Sequence, residues 1–411
     1  MTTPWRNLPA HRAWLAGERD RVLGFAAGAL RPGLGYGRLD AAGRPEDGPV
    51  ETWITGRMTH VFSLAHLLGL PGAGPLADHG VAALADGPLR DAEHDGWYAA
   101  AGPVGPAGDD GKSAYQHAFV ILGAASAAVA GRPGAAELLD AALGATERRF
   151  WREDEGACAE SWDRAWREPE PYRGANSNMH LVEAFLAAAD ATGEERWRER
   201  AGRIAARVIH NAAARNGMRP VEHFTEDWRP LLEYNADEPA HAFRPYGTTV
   251  GHWLEWGRLL LHLEAASARP ASWLVEDAGA LFAAAVEVGW AADGADGFVY
   301  TLDWSDRPVV RSRMHWVIAE AAGAAAALGV RTGDPEYERW YRTFWDHAAE
   351  RFVDRTGGSW FHELAPDGTP ATGTWAGKPD AYHVVQATLL PWLPLAGSLA
   401  GALRDHAGDA G

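Results

Sequence analysis

The sequence predicts an all-α protein in which twelve helices form a closed ring. Apolar residues recur with helical periodicity in twelve segments of the 411-residue chain. Alanine and leucine dominate the apolar residues while valine and isoleucine are scarce, which favours helix over strand. Short and long connections alternate six times along the chain, and a sixfold repeat of helix pairs is typical of a ring or a solenoid.

The predicted helices are joined by two kinds of connection. Short links carry glycine and proline, as in LPGAG at 70–74 and TGDPE at 332–336, and such links join antiparallel neighbours. Long links of this kind in a compact domain usually carry function, and they lie at about 31–54, 87–111, 150–173, 214–245, 290–309 and 352–378. The helices are predicted at 5–22, 56–69, 75–86, 112–130, 134–149, 175–191, 194–213, 247–266, 271–289, 311–328, 335–351 and 380–397.

The long connections resemble one another. Several contain a turn glycine followed by aromatic and β-prone residues, a pattern that predicts a short hairpin. The matching segments are DGWYAA (95–100), EGACAESW (155–162), NGMRPVEHF (216–224), DGFVYTLDW (296–304) and GGSWFHEL (357–364). The helix after each long loop begins about 60 to 70 residues after its predecessor. The chain therefore repeats a unit of helix, short turn, helix and long loop.

In a ring of such units, the helices that follow the long loops form the inner circle. Their N-terminal ends then lie on one face, beneath the six loops. No linker-like tract interrupts the series, so we expect residues 1–411 to form a single domain. An open helical solenoid is the alternative, and the ring is favoured because the repeats end abruptly without polar capping segments.

Composition excludes several classes of partner. The formal net charge of −17 repels phosphate, so nucleic acid and anionic membranes are not expected to bind. The lone Cys158 allows no intramolecular disulfide, and the N-terminal MTTPWRNLPAHRAW has no apolar signal region, so we expect a cytoplasmic protein. No apolar stretch is long enough to span a membrane without interruption.

The 20 tryptophans suit either stacking on sugar rings or filling a helical core, and both interpretations stay open.

The first turns of the predicted inner helices carry an unusual set of polar residues. A single buried histidine is usually a hydrogen-bonded core residue, but here all six repeats contribute at equivalent places. If the ring is correct, these side chains converge on one cavity. The set is Arg57, His60, Tyr115, His117, Asn176, His180, His252, Glu255, Arg313, His315, Glu320 and His383.

His252 and Glu255 are three residues apart and therefore share one face of a helix. A carboxylate beside an imidazole fixes its tautomer and raises its pKa, as a general base requires. A structural surface pair is the alternative. Trp253 and Trp256 flank the two residues, and these apolar surroundings favour a functional role.

His383 and Arg57 are the other candidates with alternatives. His383 follows Pro379, which suits a first helical turn, and a plain core histidine is the competing interpretation. Arg57 precedes an apolar helix, where it can bond sugar oxygens or an anionic substituent in a bidentate manner. Its alternative role is a buried ion pair.

The sequence lacks the common cofactor motifs. It has no glycine-rich nucleotide-binding loop, no HExxH motif and no Cys–His zinc pattern. His252 and Glu255 have a spacing that suits metal ligands, but no matching repeat supplies a second pair with that spacing. We therefore predict that the protein uses neither a metal nor an organic cofactor.

Six motifs in combination resemble the N-acylglucosamine 2-epimerase superfamily, and within it the branch of mannose isomerases and sulfoquinovose isomerases. The resemblance runs from about residue 50 to residue 395. The motifs are RMTHVFSLAHLLG (57–69), DDGKSAYQHAF (109–119), GANSNMHLVEAF (174–185), RPYGTTVGHWLEWGRLLL (244–261), RMHWVIAEA (313–321) and KPDAYHVVQATLLP (378–391). The resemblance implies an (α/α)6 barrel, in agreement with the ring of twelve helices.

The resemblance also implies roles for particular residues. His252 and His383 match the acid–base histidines of the branch, and Glu255 matches the glutamate near the first of them. Arg57 and His180 match residues that contact substrate in the branch. We also expect substrate contacts from Asn176, Tyr115, Trp316, Glu320 and Trp53. Neither a metal nor a cofactor takes part in the chemistry of this branch.

The expected function is that of an aldose–ketose isomerase, which moves a proton between C2 and C1 of a sugar through a cis-enediol. D-mannose, giving D-fructose, ranks before sulfoquinovose because the sequence offers few spare cations near the site, namely Arg57, Arg244, Arg313 and Lys378. A sugar 2-epimerase uses the same two histidines and stays open. So do a glycoside hydrolase based on Glu255 and Glu320, a non-catalytic sugar-binding protein, and self-association into a homo-oligomer.

Overall fold

The ring predicted from the sequence is present. The computed structural model describes residues 3–409, and its helices are α1 (Pro9–Ala26), α2 (Thr52–Leu67), α3 (Ala73–Asp86), α4 (Ala114–Val129), α5 (Ala135–Arg149), α6 (Ala175–Thr192), α7 (Glu195–Ala205), α8 (Val250–Ala266), α9 (Trp273–Gly289), α10 (His315–Thr332), α11 (Pro335–His347), α12 (Tyr382–Leu389) and α13 (Leu399–Asp409). The even-numbered helices α2 to α12 form the inner circle. Each contacts the next, and α12 contacts α2, so the circle is closed.

The remaining helices surround this circle. The outer helices α3, α5, α7, α9 and α11 each pack against the inner helix that precedes them, and α1 packs against α12. The first helix of the chain thus completes the sixth pair. Within residues 3–409, no helix combines the length and the apolar character that a crossing of a lipid bilayer needs.

The prediction differs from the structure at the last helix. We expected one helix over 380–397, whereas α12 ends at Leu389 and the separate helix α13 begins at Leu399. Pro391 and Pro394 lie between them, and proline removes a backbone donor and clashes with the preceding turn. The prediction of twelve helices is therefore one short for the described part of the chain, and α13 packs on α2, α4 and α6 outside the sixfold pattern.

Other departures are local. The first predicted helix starts later than expected, at Pro9, after a short 3-10 turn at Trp5–Asn7, and a second 3-10 turn follows α1 at Ala27–Ala29. Proline suits this first helical position because its missing N–H would have no partner there. The outer helices α7 and α11 continue as π-helical segments at Ala206–Ala213 and Ala348–Phe352.

Glycine allows the inner helices α2 and α4 to approach each other closely. A Cβ atom on Gly56 would lie 2.4 Å from the carbonyl oxygen of Phe119, and one on Gly123 would lie 2.7 Å from the carbonyl oxygen of Gly56. No residue with a side chain fits at either position without displacing backbone. The close contact fixes the neighbouring Arg57 relative to α4.

The long loops contain fifteen short strands. They are β1 (Leu30–Arg31), β2 (Gly35–Tyr36), β3 (Val50–Glu51), β4 (Ala100–Gly102), β5 (Gly105–Pro106), β6 (Lys112–Ser113), β7 (Trp151–Arg152), β8 (Ala157–Cys158), β9 (Ser161–Trp162), β10 (Tyr172–Gly174), β11 (His223–Thr225), β12 (Thr248–Thr249), β13 (Thr301–Leu302), β14 (Arg313–Met314) and β15 (Glu363–Leu364). The local antiparallel pair β7–β8 and the bridge between Arg90 and Trp97 agree with the predicted hairpins, whereas the pair β4–β5 turns after the predicted segment 95–100.

The sequence did not reveal a second kind of pairing. Five antiparallel pairs join the strand that enters an inner helix to a strand in the next long loop, and they are β3–β4, β6–β9, β10–β11, β12–β13 and β14–β15. In each pair, the strand at the end of one long loop is therefore hydrogen-bonded to the next long loop. These pairs hold the loops as one layer above the N-terminal ends of the inner helices.

Four of the long loops are also fastened by a buried ion pair. A cation just before the inner helix contacts a carboxylate near the start of the same loop, which ties the two ends of the loop together. The nitrogen–oxygen distances are 2.8 Å for Lys112–Asp91, 2.8 Å for Arg173–Glu155, 2.5 Å for Arg313–Asp293 and 2.6 Å for Lys378–Asp354. Each pair supplies the counter-charge that a buried ion needs.

We expect Asp91→Ala to lower the free energy of unfolding by roughly 3 to 5 kcal/mol, because it leaves the Lys112 ammonium buried without its counter-charge. The side chains of Asp91 and Lys112 are 1% and 0% exposed. The measurement is the midpoint of thermal or denaturant unfolding. Asp405→Ala is the control, since Asp405 pairs with Arg404 on the surface and should cost less than about 1 kcal/mol. Equal midpoints for the two variants would contradict the prediction.

Candidate active site

The N-terminal ends of the inner helices open into one cavity of about 610 Å³, which is continuous with solvent. Side chains from all six inner helices and from three long loops line it. The cavity includes ten of the polar and aromatic residues singled out in the sequence, namely Trp53, Arg57, Tyr115, Asn176, His180, His252, Glu255, His315, Trp316 and His383. The convergence expected from the repeat is therefore present.

Four residues of the expected set lie outside the cavity wall: His60, His117, Arg313 and Glu320. His60 lies deeper in the barrel, where its Nδ1 is 2.7 Å from the hydroxyl of Ser126. The ring of His117 bonds through Nδ1 to the backbone oxygen of Ser113 and packs against Phe150. Arg313 fastens its loop through Asp293. His60, His117 and Arg313 thus have structural contacts, and for the two histidines this agrees with the alternative interpretation of a buried histidine.

His252 is held by a carboxylate that the sequence analysis missed. Its Nδ1 lies 3.0 Å from both carboxylate oxygens of Glu222, which also accepts the backbone N–H of Thr249. The expected pairing of His252 with Glu255 is wrong. Glu222 precedes β11 in a long loop, 30 residues before His252, and no local spacing connects the two.

His383 has an equivalent arrangement. Its Nδ1 lies 2.8 Å from Oε1 of Glu320, whose Oε2 accepts a hydrogen bond from Nε of Arg258. Glu320 was expected to contact substrate but lies behind His383 instead, because its side chain points from the second turn of α10 towards α12. Burial lowers the pKa of His383 well below its ordinary value of 6.5, and the charge of Arg57 lowers it further.

Trp316 lies between the two imidazoles. Its ring centroid is 5.3 Å from that of His252 and 5.6 Å from that of His383, with interplanar angles of 38° and 34°. In residues 3–409, neither histidine has a protein hydrogen bond at Nε2. Two imidazoles thus face one cavity, each with Nδ1 engaged by a carboxylate and Nε2 available to a ligand.

Glu255 and His180 form a further polar pair in the wall. The Oε1 atom of Glu255 is 3.7 Å from Nδ1 of His180, and both atoms are buried without a hydrogen-bond partner within the described chain. Burial raises the pKa of the Glu255 carboxyl well above its ordinary value of 4.5, and the nearby charge of Glu320 raises it further. Burial and the charge of Arg57 lower the pKa of His180 well below 6.5. A protonated carboxyl and a neutral imidazole are donors suited to sugar oxygens.

Arg57 combines the two roles considered for it. It lines the cavity and also forms a buried ion pair, with 3.1 Å between Nη1 and Oδ2 of Asp380. Its Nη2 donates to the hydroxyl of Tyr115 at 3.3 Å, while Nε is buried without a partner in residues 3–409. The guanidinium lies within 5 Å of three aromatic ring centroids, those of Trp53, Phe119 and Tyr382.

Aromatic side chains from two long loops narrow the cavity, and the sequence did not single them out. Phe243 contacts Trp53 and Trp375 edge to face, with ring centroids 6.2 Å and 5.4 Å away. Asn176 donates from Nδ2 to the backbone oxygen of Phe243 at 3.3 Å and so ties that loop to α6. Loop residues of this kind are recognisable only from tertiary structure.

The donor atoms near the axis fit a metal ion poorly. Two groups bring three ligand atoms within 4.8 Å of one another, namely His180, Glu183 and Glu255, and Glu255, Glu320 and His383. The guanidinium of Arg258 already lies among these carboxylates, 2.7 Å from Glu320, 3.6 Å from Glu183 and 3.8 Å from Glu255. A divalent ion would meet this fixed positive charge, and the expectation of metal-independent chemistry stays a prediction.

The other cations considered for an anionic substrate are occupied elsewhere. Arg244 forms hydrogen bonds of 2.7 Å and 2.9 Å with Glu170 and does not line the cavity. Arg313 and Lys378 fasten their loops through Asp293 and Asp354. Arg57, itself paired with a carboxylate, is the one arginine or lysine in the wall formed by residues 3–409.

Two proteins of similar sequence are D-mannose isomerases. The chain is 63% identical over 404 residues to the D-mannose isomerase of Thermobifida fusca, covering 98% of this chain and 99% of that protein. It is 53% identical over 404 residues to the D-mannose isomerase of Pseudomonas cannabina pv. alisalensis, covering 97% of each.

Solved structures extend the comparison. A crystal structure of a D-mannose isomerase superposes with a TM-score of 0.86 at 27% identity, covering 93% of this chain and 98% of the other. The cellobiose 2-epimerase of Spirochaeta thermophila DSM 6192 shares the fold, with a TM-score of 0.81 at 23% identity and coverage of 93% and 95%. The profile of the family described as N-acylglucosamine 2-epimerase (GlcNAc 2-epimerase) matches residues 35–387. The chain belongs to the N-acylglucosamine 2-epimerase family.

Proposed function

We propose that this protein is an aldose–ketose isomerase that interconverts D-mannose and D-fructose. The observation that carries the proposal is the pair His252 and His383, which face one cavity with Nδ1 of each engaged by a buried carboxylate. The two relatives at 63% and 53% identity, both D-mannose isomerases, support the same reaction and substrate.

The chemistry requires two proton-transferring groups. A C–H proton next to a carbonyl is weakly acidic, so the sugar ring must open and a base must then remove the proton from C2. In our proposal, Nε2 of one histidine accepts this proton and returns it to C1, while the other histidine moves the hydroxyl protons. The carboxylate behind each ring fixes the tautomer and stabilises the imidazolium that forms.

The remaining polar groups suit the negative charge that develops on the enediol oxygens. Glu255, in its protonated form, and neutral His180 offer hydrogen-bond donors into the cavity, and Nε of Arg57 is a third. Donors held in place before the reaction stabilise such charge at little reorganisation cost. Phe243 and Trp375 narrow the cavity and limit the water that can exchange with the transferred proton.

A neutral sugar fits the cavity better than a sulfonated one. A sulfonate carries a fixed negative charge, and the one arginine that lines the wall in residues 3–409 is neutralised by Asp380. Arg244, Arg313 and Lys378 form ion pairs outside the wall. We therefore place D-mannose before sulfoquinovose.

A glycoside hydrolase is the best candidate of another class, because Glu255 and Glu320 offer two carboxyl groups close together. Hydrolases of this kind separate their two carboxyl groups by about 5 Å or more across a cleft. In this chain Glu255 and Glu320 have oxygens within 4.8 Å of each other, and Glu320 lies behind His383 rather than in the cavity wall. The geometry favours proton transfer by the histidines.

We also propose a partner and a location for the protein. A monosaccharide is the proposed partner, since the cavity is narrowed by Phe243 and Trp375. A reducing, cytoplasmic location agrees with the single Cys158, which is buried.

We expect incubation with D-mannose in deuterated water to give D-fructose with deuterium at C1 and D-mannose with deuterium at C2, as read by NMR. A 2-epimerase would instead produce D-glucose, while hydrolysis or simple binding would introduce no deuterium.

Under identical buffer, kcat/KM should be higher for D-mannose than for sulfoquinovose. A tenfold preference for sulfoquinovose, about 1.4 kcal/mol of transition-state binding, would overturn the choice of substrate.

His252→Ala and His383→Ala should each abolish turnover and leave the fold intact. Each variant removes one of two groups that act as a unit, so neither histidine alone completes the transfer. The same deuterium assay measures turnover, and circular dichroism checks the fold. Near wild-type activity in either variant, with a normal spectrum, would refute the acid–base assignment.

Glu222→Gln should lower kcat at least tenfold and leave KM nearly unchanged. The amide cannot stabilise a positive imidazole as the carboxylate does, and its NH₂ group can force the wrong tautomer of His252. Steady-state kinetics with D-mannose provide the measurement. Glu226→Gln is the control, because Glu226 is exposed in the same loop. If both variants behave alike, Glu222 does not position His252.

A further inference from the structure

A second pair of histidines lies in the wall of the cavity, separate from the pair that we propose to move protons. We infer that His362, supported by His315, is a specificity-determining residue that binds a sugar hydroxyl remote from C1 and C2 and selects a neutral sugar. This inference rests on the proposed function and deepens it, since it concerns the class of sugar that the site accepts.

The two rings are held face to face. His315 is the first residue of α10, and His362 comes from the last long loop, directly before β15. Their ring centroids are 3.7 Å apart with an interplanar angle of 21°. The backbone oxygen of His362 accepts hydrogen bonds from the backbone N–H of His315 at 3.1 Å and from its Nδ1 at 3.2 Å. Because Nδ1 of His315 carries the proton, its Nε2 is an acceptor.

The His362 ring has an unmet hydrogen-bonding capacity. Its side chain lines the cavity and the residue is 5% exposed, yet its Nε2 is buried without a hydrogen-bond partner within residues 3–409. A buried polar atom that lacks a hydrogen-bond partner is unfavourable, and a ligand that bonds to it removes this cost. A sugar hydroxyl in the cavity would satisfy this nitrogen.

The backbone that carries His362 is fixed. The next residue, Glu363, pairs with Met314 in the β14–β15 ladder. Its Oε2 accepts the backbone N–H groups of Thr374 at 2.7 Å and of Trp375 at 2.9 Å, which ties both parts of the loop together. A ligand group held on a rigid element discriminates among hydroxyl positions better than one on a mobile loop.

Both rings are neutral, and this determines what they can bind. Burial lowers the pKa of His315 to about 4, and burial together with the charge of His315 lowers the pKa of His362 well below 6.5. Two imidazolium ions 3.7 Å apart would repel each other strongly. Neutral imidazoles bond a hydroxyl but supply no charge to balance a sulfonate or a phosphate, and the carboxylate of Asp380 lies in the same wall.

The test compares His362→Phe with His362→Gln. Phenylalanine keeps the aromatic ring and removes the nitrogens, whereas glutamine places an amide near the former Nε2. We expect kcat/KM for D-mannose to fall at least tenfold in the phenylalanine variant, mainly through KM, and to recover largely in the glutamine variant. His117→Phe is the matched control, because His117 is buried outside the cavity, and it should stay within twofold of wild type.

Single-deoxy analogues of D-mannose, lacking the hydroxyl at C3, C4 or C6, then locate the contact. One analogue should lose the same factor with the wild-type protein and lose nothing further with His362→Phe. The inference is wrong if His362→Phe stays within twofold of wild type, or if it weakens all analogues equally. If the wild-type protein does not turn over D-mannose, the proposed function fails, and calorimetric binding of D-mannose to the wild type and His362→Phe decides the hydroxyl contact separately.

Discussion

The active site depends on one buried guanidinium. Arg258 lies on the barrel axis with its side chain 2% exposed, and it contacts Glu183 on α6, Glu255 on its own helix α8 and Glu320 on α10. Without this cation, three carboxylates would be buried close together with no counter-charge, which is far more costly than any single contact in the wall. With it, Glu320 can accept a hydrogen bond from Arg258 and hold Nδ1 of His383, while burial and the charge of Glu320 raise the pKa of Glu255.

The need of buried polar groups for a partner also shapes the layer of loops above the cavity. Polar residues can be buried at the ends of the inner helices only if each finds a partner, and the long loops supply those partners. The ammonium groups of Lys112 and Lys378 form ion pairs with carboxylates at the start of their own loops. Nδ1 of His252 pairs with Glu222 from the loop that precedes α8. Strand pairs such as β14–β15 then join neighbouring loops. Some buried side chains still lack a partner for one polar atom within residues 3–409, and those of Arg57, His180 and His362 line the cavity.

Whether an interaction joins residues that are near or far apart in the chain explains what the sequence could predict. Helical periodicity and the sixfold alternation of links predicted the ring, and the equivalence between repeats predicted that Arg57, His252 and His383 share one cavity, as they do. The end of α12 was placed too late because the apolar run around Pro391 and Pro394 hides the break in the helix, and the separate helix α13 beyond it was not predicted. Glu222 and Arg258 were missed for another reason: their partners lie 30 and 62 residues away, and only the closed ring brings them together.

Two pairs of histidines in the cavity wall differ in what stands behind each ring, and this difference supports the roles that we propose for them. His252 and His383 have a carboxylate at Nδ1, which stabilises the positive charge that appears when Nε2 accepts a proton. His315 has a backbone carbonyl at Nδ1 instead of a carboxylate, and it stacks on His362, so a proton on either ring would meet a second ring 3.7 Å away. In our proposal, the first pair changes its charge during the reaction. The second is built to keep it, which suits the recognition of a neutral sugar.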